Sequence, residues 1–531
     1  MRAAIKSLII CSALSLTIAV NAQTLNCNPD TNGEGGSILE QELHQGLTNR
    51  DLPQQYWVDI VTEQPEGYVV DDNGDVHIYS AEALAWLSSV SNGLNGQQAD
   101  DFEGKMVTLE ANVDMSAAIW TSIAQGELGD TTPDRLRFSG TLDGNGFVIS
   151  GITLYKKDQK SNSFLGTLEG ARIEDVVLRH AYAKESNAND GKLFISADFV
   201  EGPRTTVIDR CFVEFDEIVK DAIFRDNTAL FGYYNNGIIR NCMAVLHKAD
   251  IYSDKGFLND NLSLFVWDNK GTIENCASIA DSVHWGYHYF LTGIAENNYA
   301  SGTIENCYSF IDDLFYYEEM PFEQISRAGI CWENYGQIKN CYYNMWPDTD
   351  EHWDECHSFA DSSVNASYGG EITEAASFMP TPYFQQPYWV LNNSVNITSP
   401  SGFIYSTDEL QQALFYWVLG RQETGQYLWW CADESFFQNN LPSLCEIDIN
   451  SIQEESTLKS CPVYPNPADD VFRIDGIVPD ETLIYNALGQ LVKSVNATNE
   501  VSVSDLPAGV YLLRITDNDG NTITSRLSIS R

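Results

Sequence analysis

Gly271-Thr272-Ile273-Glu274-Asn275-Cys276 returns almost unchanged as Gly302-Thr303-Ile304-Glu305-Asn306-Cys307. Gly237-Ile238-Ile239-Arg240-Asn241-Cys242 precedes the pair, and Gly336-Gln337-Ile338-Lys339-Asn340-Cys341 follows it. A shorter copy, Ile208-Asp209-Arg210-Cys211, lies upstream, and Ile173-Glu174-Asp175-Val176 is weaker still. The cysteines Cys211, Cys242, Cys276, Cys307 and Cys341 are spaced 31, 34, 31 and 34 residues apart. A steady period of roughly 20 to 50 residues is the mark of stacked repeats.

Each phrase has an apolar partner upstream: Leu230-Phe231-Gly232, Leu264-Phe265-Val266, Leu291-Thr292-Gly293 and Ala328-Gly329-Ile330. Polar turns such as Asn235-Asn236-Gly237 and Asn334-Tyr335-Gly336 separate the two. Ile and Phe favour pleated strands, while Gly and Asn tolerate left-handed backbone, so the unit reads strand–turn–strand. Helical repeats would need long glycine-free amphipathic runs, which are missing. A parallel β-solenoid follows. Equivalent residues then stand about 4.8 Å apart from coil to coil. Ile239, Ile273, Ile304 and Ile338 form one expected ladder and the five cysteines a second. Asn241, Asn275, Asn306 and Asn340 are expected at a bend, bonding along the stack. These roles are structural.

Residues 1–22 read as an export signal: Arg2 and Lys6, an uncharged run from Leu8 to Val20, then Val20-Asn21-Ala22 as a small-residue cleavage site. Its removal takes away Cys11 and leaves 11 of the 12 cysteines, an odd number, so at least one has no partner within the chain. Parallel stacking keeps neighbouring Cβ atoms rather far apart for a disulfide, which favours a thiol ladder, although an exported protein permits either state. Residues 23–457 hold 22 basic and 66 acidic residues, whereas 458–531 hold 6 and 9. A body so negative repels phosphate backbones, so nucleic acid is not an expected partner.

Ser80 to Leu87 reads as a helix with Ser80 as N-cap, placed to cover the open end of the stack. Phe138-Ser139-Gly140-Thr141-Leu142-Asp143-Gly144-Asn145-Gly146-Phe147-Val148-Ile149 alternates around a glycine turn and is expected to be the first coil. With Leu109–Asp114 and Trp120–Ile123, these segments resemble the start of bacterial GLUG-repeat proteins. That resemblance implies a filamentous-haemagglutinin-like, right-handed parallel β-helix over about residues 76–345, with a degenerate last unit near Thr407–Leu444. The repeats depart from the family's Gly-Leu-aromatic-Gly core, keeping a clear glycine only at Gly232, Gly293 and Gly329. It supplies no catalytic residues.

The tail has another grammar. Cys461-Pro462-Val463-Tyr464-Pro465-Asn466-Pro467 opens it rigidly, and short strands separated by turns suggest a small Ig-like β-sandwich. Tyr464-Pro465-Asn466-Pro467, Ile484-Tyr485-Asn486-Ala487-Leu488-Gly489-Gln490 and Leu506-Pro507-Ala508-Gly509-Val510-Tyr511 closely resemble the C-terminal sorting domain of the type IX secretion system. The resemblance implies partners in that machinery, removal of 458–531 by a sortase-like peptidase, and display at the bacterial outer-membrane surface or release. The expected divisions are 1–22, 23–75, 76–345, 346–457 (a degenerate repeat or C-terminal cap) and 458–531.

No nucleophile–base arrangement stands out, and no cofactor or metal is implied. His284 and His288 lack the glutamate of a zinc helix, and the acidic stretch Asp348–His357 lacks a recognisable calcium loop. Asp312, Asp313, Glu318 and Glu319 lie close in sequence, as β-helix polysaccharide lyases and hydrolases would require of their carboxylates. Aromatics are the better clue. On one strand Trp285, Tyr287 and Tyr289 would share a face that stacks on sugar rings, or would pack beneath a long loop. The resulting expectation is an adhesin-like or glycan-binding solenoid, its ligand a glycan or a host or surface protein. An enzyme on an extracellular polysaccharide is the alternative.

Overall fold

In the computed structural model the described residues run from Leu52 to Ile529, outside 126–134, 157–162, 187–190, 193, 195–204, 222–226, 253–259, 286–288, 317–325, 345–370, 374–375, 381–388, 401, 403, 422–425, 433–440, 446–462, 465–467, 469, 475–478, 486–490, 508 and 518–521. The body is a parallel β-solenoid. One coil shows how it is built: Asp260–Ser263, Val266–Asn269, Thr272–Glu274 and Ala277–Trp285 each join a different sheet. These sheets have five, four, eleven and thirteen strands, and the next coil adds one strand to each in parallel.

The repeated phrase explains the stacking. Ile208, Ile239, Ile273, Ile304 and Ile338 pair in register, each at most 2% exposed. Burying one such side chain contributes about 1.5–3 kcal/mol relative to leaving it exposed. Glycine opens the phrase because the turns touch: a Cβ on Gly271 would sit 2.1 Å from Gly237 O. The Asn bend is left-handed, with φ of 53°, 56°, 54° and 50° at Asn241, Asn275, Asn306 and Asn340, a region Asn enters at low cost.

The helix Ala81–Asn92 is capped by Ser80, whose Oγ accepts from Ala83 N at 3.2 Å, and ends at left-handed Gly93. Its Leu84, Trp86 and Leu87 belong to the same core as the coil isoleucines, so it closes that end as expected. The stack begins earlier than the Phe138–Ile149 phrase, however. Val107 already pairs with Leu142, and Val76 with Val107, because these shorter segments carry the same inward apolar residue.

The Thr407–Leu444 segment is not a last coil. Glu371–Thr373 and Ala376–Pro380 still stack in parallel on their predecessors, after which Trp389–Thr398 and Ile404–Glu409 pair antiparallel. The helix Leu410–Leu419 and the hairpin Trp429–Ala432 with Pro442–Cys445 then cover the outer face of the thirteen-stranded sheet. The reason is apolar surface: Met243, Val245, Ala277, Ile279, Tyr308 and Phe310 lie outside the main core and share a second one with Leu410, Leu414, Trp417 and Trp430. The tail is an antiparallel sandwich of three and four strands around Phe472, Ile484, Val501, Leu513 and Leu527.

Candidate functional site

The four-stranded sheet reads Gly232-Tyr233-Tyr234-Asn235, Val266-Trp267-Asp268-Asn269, Ala295-Glu296-Asn297-Asn298 and Cys331-Trp332-Glu333-Asn334. Val266, Ala295 and Cys331, at the first position, face the main core. The fourth is an asparagine ladder in which each Nδ2 donates to the next Oδ1 at 2.8 Å, from Asn235 through Asn269 and Asn298 to Asn334. The middle positions make two rows along the stack: Tyr233, Trp267, Glu296, Trp332 and Tyr234, Asp268, Asn297, Glu333.

These rows are connected side chain to side chain and are largely buried, Tyr233 at 4%, Trp267 at 8% and Asp268 at 7% exposed. The rings of Tyr233 and Trp267 stack at 5.9 Å, and Tyr234 meets Tyr233 edge-on at 4.6 Å. Asp268 accepts from Asn297 Nδ2 at 2.8 Å and from Tyr299 OH at 3.2 Å. Tyr299 stacks on Tyr335 at 6.4 Å with Lys270 Nζ 4.9 Å from its ring, and Tyr335 OH donates to Glu333 Oε2 at 3.1 Å. Glu296, 4% exposed, is the exception: its Oε2 has no hydrogen-bond partner. Burial pushes its carboxyl up to about 8, and Glu333 and Asp268 add to the shift. The Thr292 hydroxyl beside it opposes the shift, but Thr292 Oγ1 makes no hydrogen bond of ordinary geometry. Burial also raises Asp268.

The row expected of Trp285, Tyr287 and Tyr289 is not one strand. Trp285 ends Ala277–Trp285 in the thirteen-stranded sheet, opposite Ile251 and Tyr316. Tyr289 opens Tyr289–Thr292 in the five-stranded sheet, opposite Asp260. Tyr287 lies outside the described residues, as do His288, Glu318, Glu319 and the acidic stretch Asp348–His357. The two strands belong to different sheets, a division that an alternation argument passes over. Among the described residues no three His, Cys, Asp or Glu side chains are grouped to hold a metal ion.

Asn241, Asn275 and Asn306 form a second amide ladder, each Nδ2 donating to the preceding Oδ1 at 2.8 Å, and Asn241 donates to Asp209 Oδ1 at 2.8 Å. Asn340 takes the same bend. Cys211, Cys242, Cys276, Cys307 and Cys341 are buried free thiols, each donating to the carbonyl two residues before it. Burial holds Cys211, Cys276 and Cys341 well above the ordinary thiol value, so they are poor nucleophiles.

Comparison with known proteins adds one family. Residues 462–530 match the secretion system C-terminal sorting domain. No curated protein matches the chain. A crystal structure described as "a putative immunoglobulin A1 protease from Bacteroides ovatus" is similar at 15% identity with a TM-score of 0.39, over 70% of this chain and 93% of that one. The sorting tail makes this an exported protein of the type IX secretion system, destined for the cell surface and engaging that machinery through its last residues.

Proposed function

We propose that the solenoid is an adhesin-like, glycan-binding body and that the face of its four-stranded sheet holds the ligand. The observation that carries this reading is the pair of rows just described. Aromatic rings at Tyr233, Trp267 and Trp332 stand beside the hydrogen-bonding groups of Asp268, Asn297 and Glu333 at steps of about 4.8 Å. A pyranose has an apolar face for a ring and a rim of hydroxyls for carboxylates and amides, so such a surface fits a sugar chain laid along or across the coils. A body of net charge −44 between residues 23 and 457 favours neutral or cationic polymers over acidic ones.

Trp285 and Tyr289 enter the reading as a second contact region, and the GLUG-like opening agrees with a surface adhesin. Removal of residues 1–22 on export and of 458–531 by a sortase-like peptidase completes the proposed route. The test is retention of the full chain on a panel of immobilised neutral and amino polysaccharides. Trp267→Ala and Trp332→Ala are expected to weaken retention at least tenfold with the circular dichroism spectrum unchanged. Loss on Trp285→Ala alone would move the site to the strand ends at Trp285 and Tyr289. New reducing ends from any polymer would replace binding by hydrolysis or lysis.

A further inference from the structure

We propose that the four-stranded face is specific for a glycan carrying free amino groups, whose ammonium is taken by the Glu296 carboxyl between Trp267 and Trp332. The inference rests on the glycan reading and names the sugar class.

Three observations carry it. First, Glu296 occupies the middle of an otherwise aromatic row, one coil from Trp267 and one from Trp332. Rings flanking a carboxylate suit a cation, which gains from both the ring faces and the charge. Second, Glu296 Oε2 is buried without a hydrogen bond, an unfavourable state that a donor would relieve. Turning this carboxyl outward breaks no hydrogen bond of Oε2. Third, the charged groups around it are Asp268 from the coil before and Glu333 from the coil after, both acidic, with Lys270 held over the ring of Tyr299. Burial, reinforced by their repulsion, keeps Glu296 protonated at neutral pH, and an arriving ammonium reverses the balance.

Binding is therefore linked to ionisation: Glu296 gives its proton to solvent and the ammonium pairs with the resulting carboxylate. A neutral hydroxyl or an N-acetyl group has no charge to drive that step.

Calorimetry of the full chain with a glucosamine hexamer and an N-acetylglucosamine hexamer tests this directly. At pH 6, where the amine and free Glu296 both carry protons, repeating the titration in buffers of different ionisation enthalpy counts protons released. The glucosamine hexamer is expected to bind at least tenfold more tightly and to release about one proton per site. Glu296→Gln, nearly isosteric, is expected to abolish both the preference and the release while binding of the N-acetyl hexamer persists. Equal affinity for the two hexamers, or a preference that survives Glu296→Gln, overturns this inference and leaves glycan binding standing. Absence of binding by either hexamer and by the polysaccharide panel overturns both. Retention of polylysine with neither hexamer bound would assign the slot to a protein ligand, against an amino sugar.

Discussion

Trp430 Nε1 donates a 2.6 Å hydrogen bond to Asn275 Oδ1, joining residues 155 apart in sequence. The same oxygen accepts from Asn306 Nδ2 at 2.8 Å, while Asn275 Nδ2 donates to Asn241 Oδ1 at 2.8 Å and to Leu428 O at 3.0 Å. Every donor and lone pair of that amide is used, half along the stack and half toward the covering segment. The asparagine bend is thus also the seat of the cover, which meets it again through Gln426, Leu428 and Leu414.

Asn275→Ala is therefore expected to lower stability by about 3–5 kcal/mol, combining left-handed strain with orphaned neighbours. Asn275→Gly keeps the backbone freedom and loses only the amide, so its loss is expected to be smaller by about 1–2 kcal/mol. Urea unfolding midpoints of the two variants measure the difference. Equal losses would mean that the φ of 56° at this position carries no cost.

The cover is anchored by Trp417, 1% exposed, whose Nε1 donates to Glu305 Oε1 at 2.7 Å while Arg421 lies 4.0 Å from its ring. Trp417→Ala removes a large buried side chain, a change of about 3–5 kcal/mol. The expected outcome is local: limited proteolysis cuts within 404–445 under conditions that leave the coils intact. Simultaneous loss of both would show that coils and cover unfold as one unit.

The coils were legible in sequence because stacking demands the same side chain at the same place in each turn. Ile273 and Ile304, or Asn275 and Asn306, announce themselves by recurrence. The Asn235–Asn334 ladder escaped because its distance from the following glycine varies, two residues at Asn235 but four at Asn298. The cover left no such trace: it repeats nothing, and its contacts span 108 to 201 residues. The aromatic–acid face was hidden for the opposite reason, since Tyr233, Trp267, Glu296 and Trp332 occupy one structural position with different chemistry in successive coils.

Six described cysteines, Cys211, Cys242, Cys276, Cys307, Cys331 and Cys341, are buried and unpaired. A thiol reagent such as dithionitrobenzoate is expected to find none of them in the native protein and at least six after denaturation. Reaction before unfolding would show that the coils open locally, since the thiolate needs both access and ionisation.

His247 is held between Asp281, 2.5 Å from Nδ1, and Glu214, 3.1 Å from Nε2, and these partners push it up to about 10. A group whose folded value lies above its ordinary 6.5 contributes stability that is complete below that value and lost as pH rises through about 10. The side chain is 40% exposed, so solvent and salt screen the effect. His247→Gln is expected to flatten the stability profile between about pH 6.5 and 10, and 1 M salt to flatten the parent's in the same direction. Superimposable profiles for parent and variant would remove His247 from the account.

Glu296 has the opposite charge and the same sign of slope. Its carboxyl, ordinarily near 4.5, is pushed up to about 8 by burial. Between those values the folded chain binds more protons than the unfolded one, so stability falls as pH rises through that window. Above it, a buried carboxylate lacking a partner for Oε2 is carried at a cost of a few kcal/mol. Glu296→Gln is neutral at every pH and nearly the same shape. It is expected to match the parent at pH 5 and to be the more stable protein at pH 9, as urea midpoints at the two values will show. A variant less stable at pH 9 would mean that the ionised carboxylate is already paired in the free protein, and the face would then have no unmet charge to offer a cationic sugar.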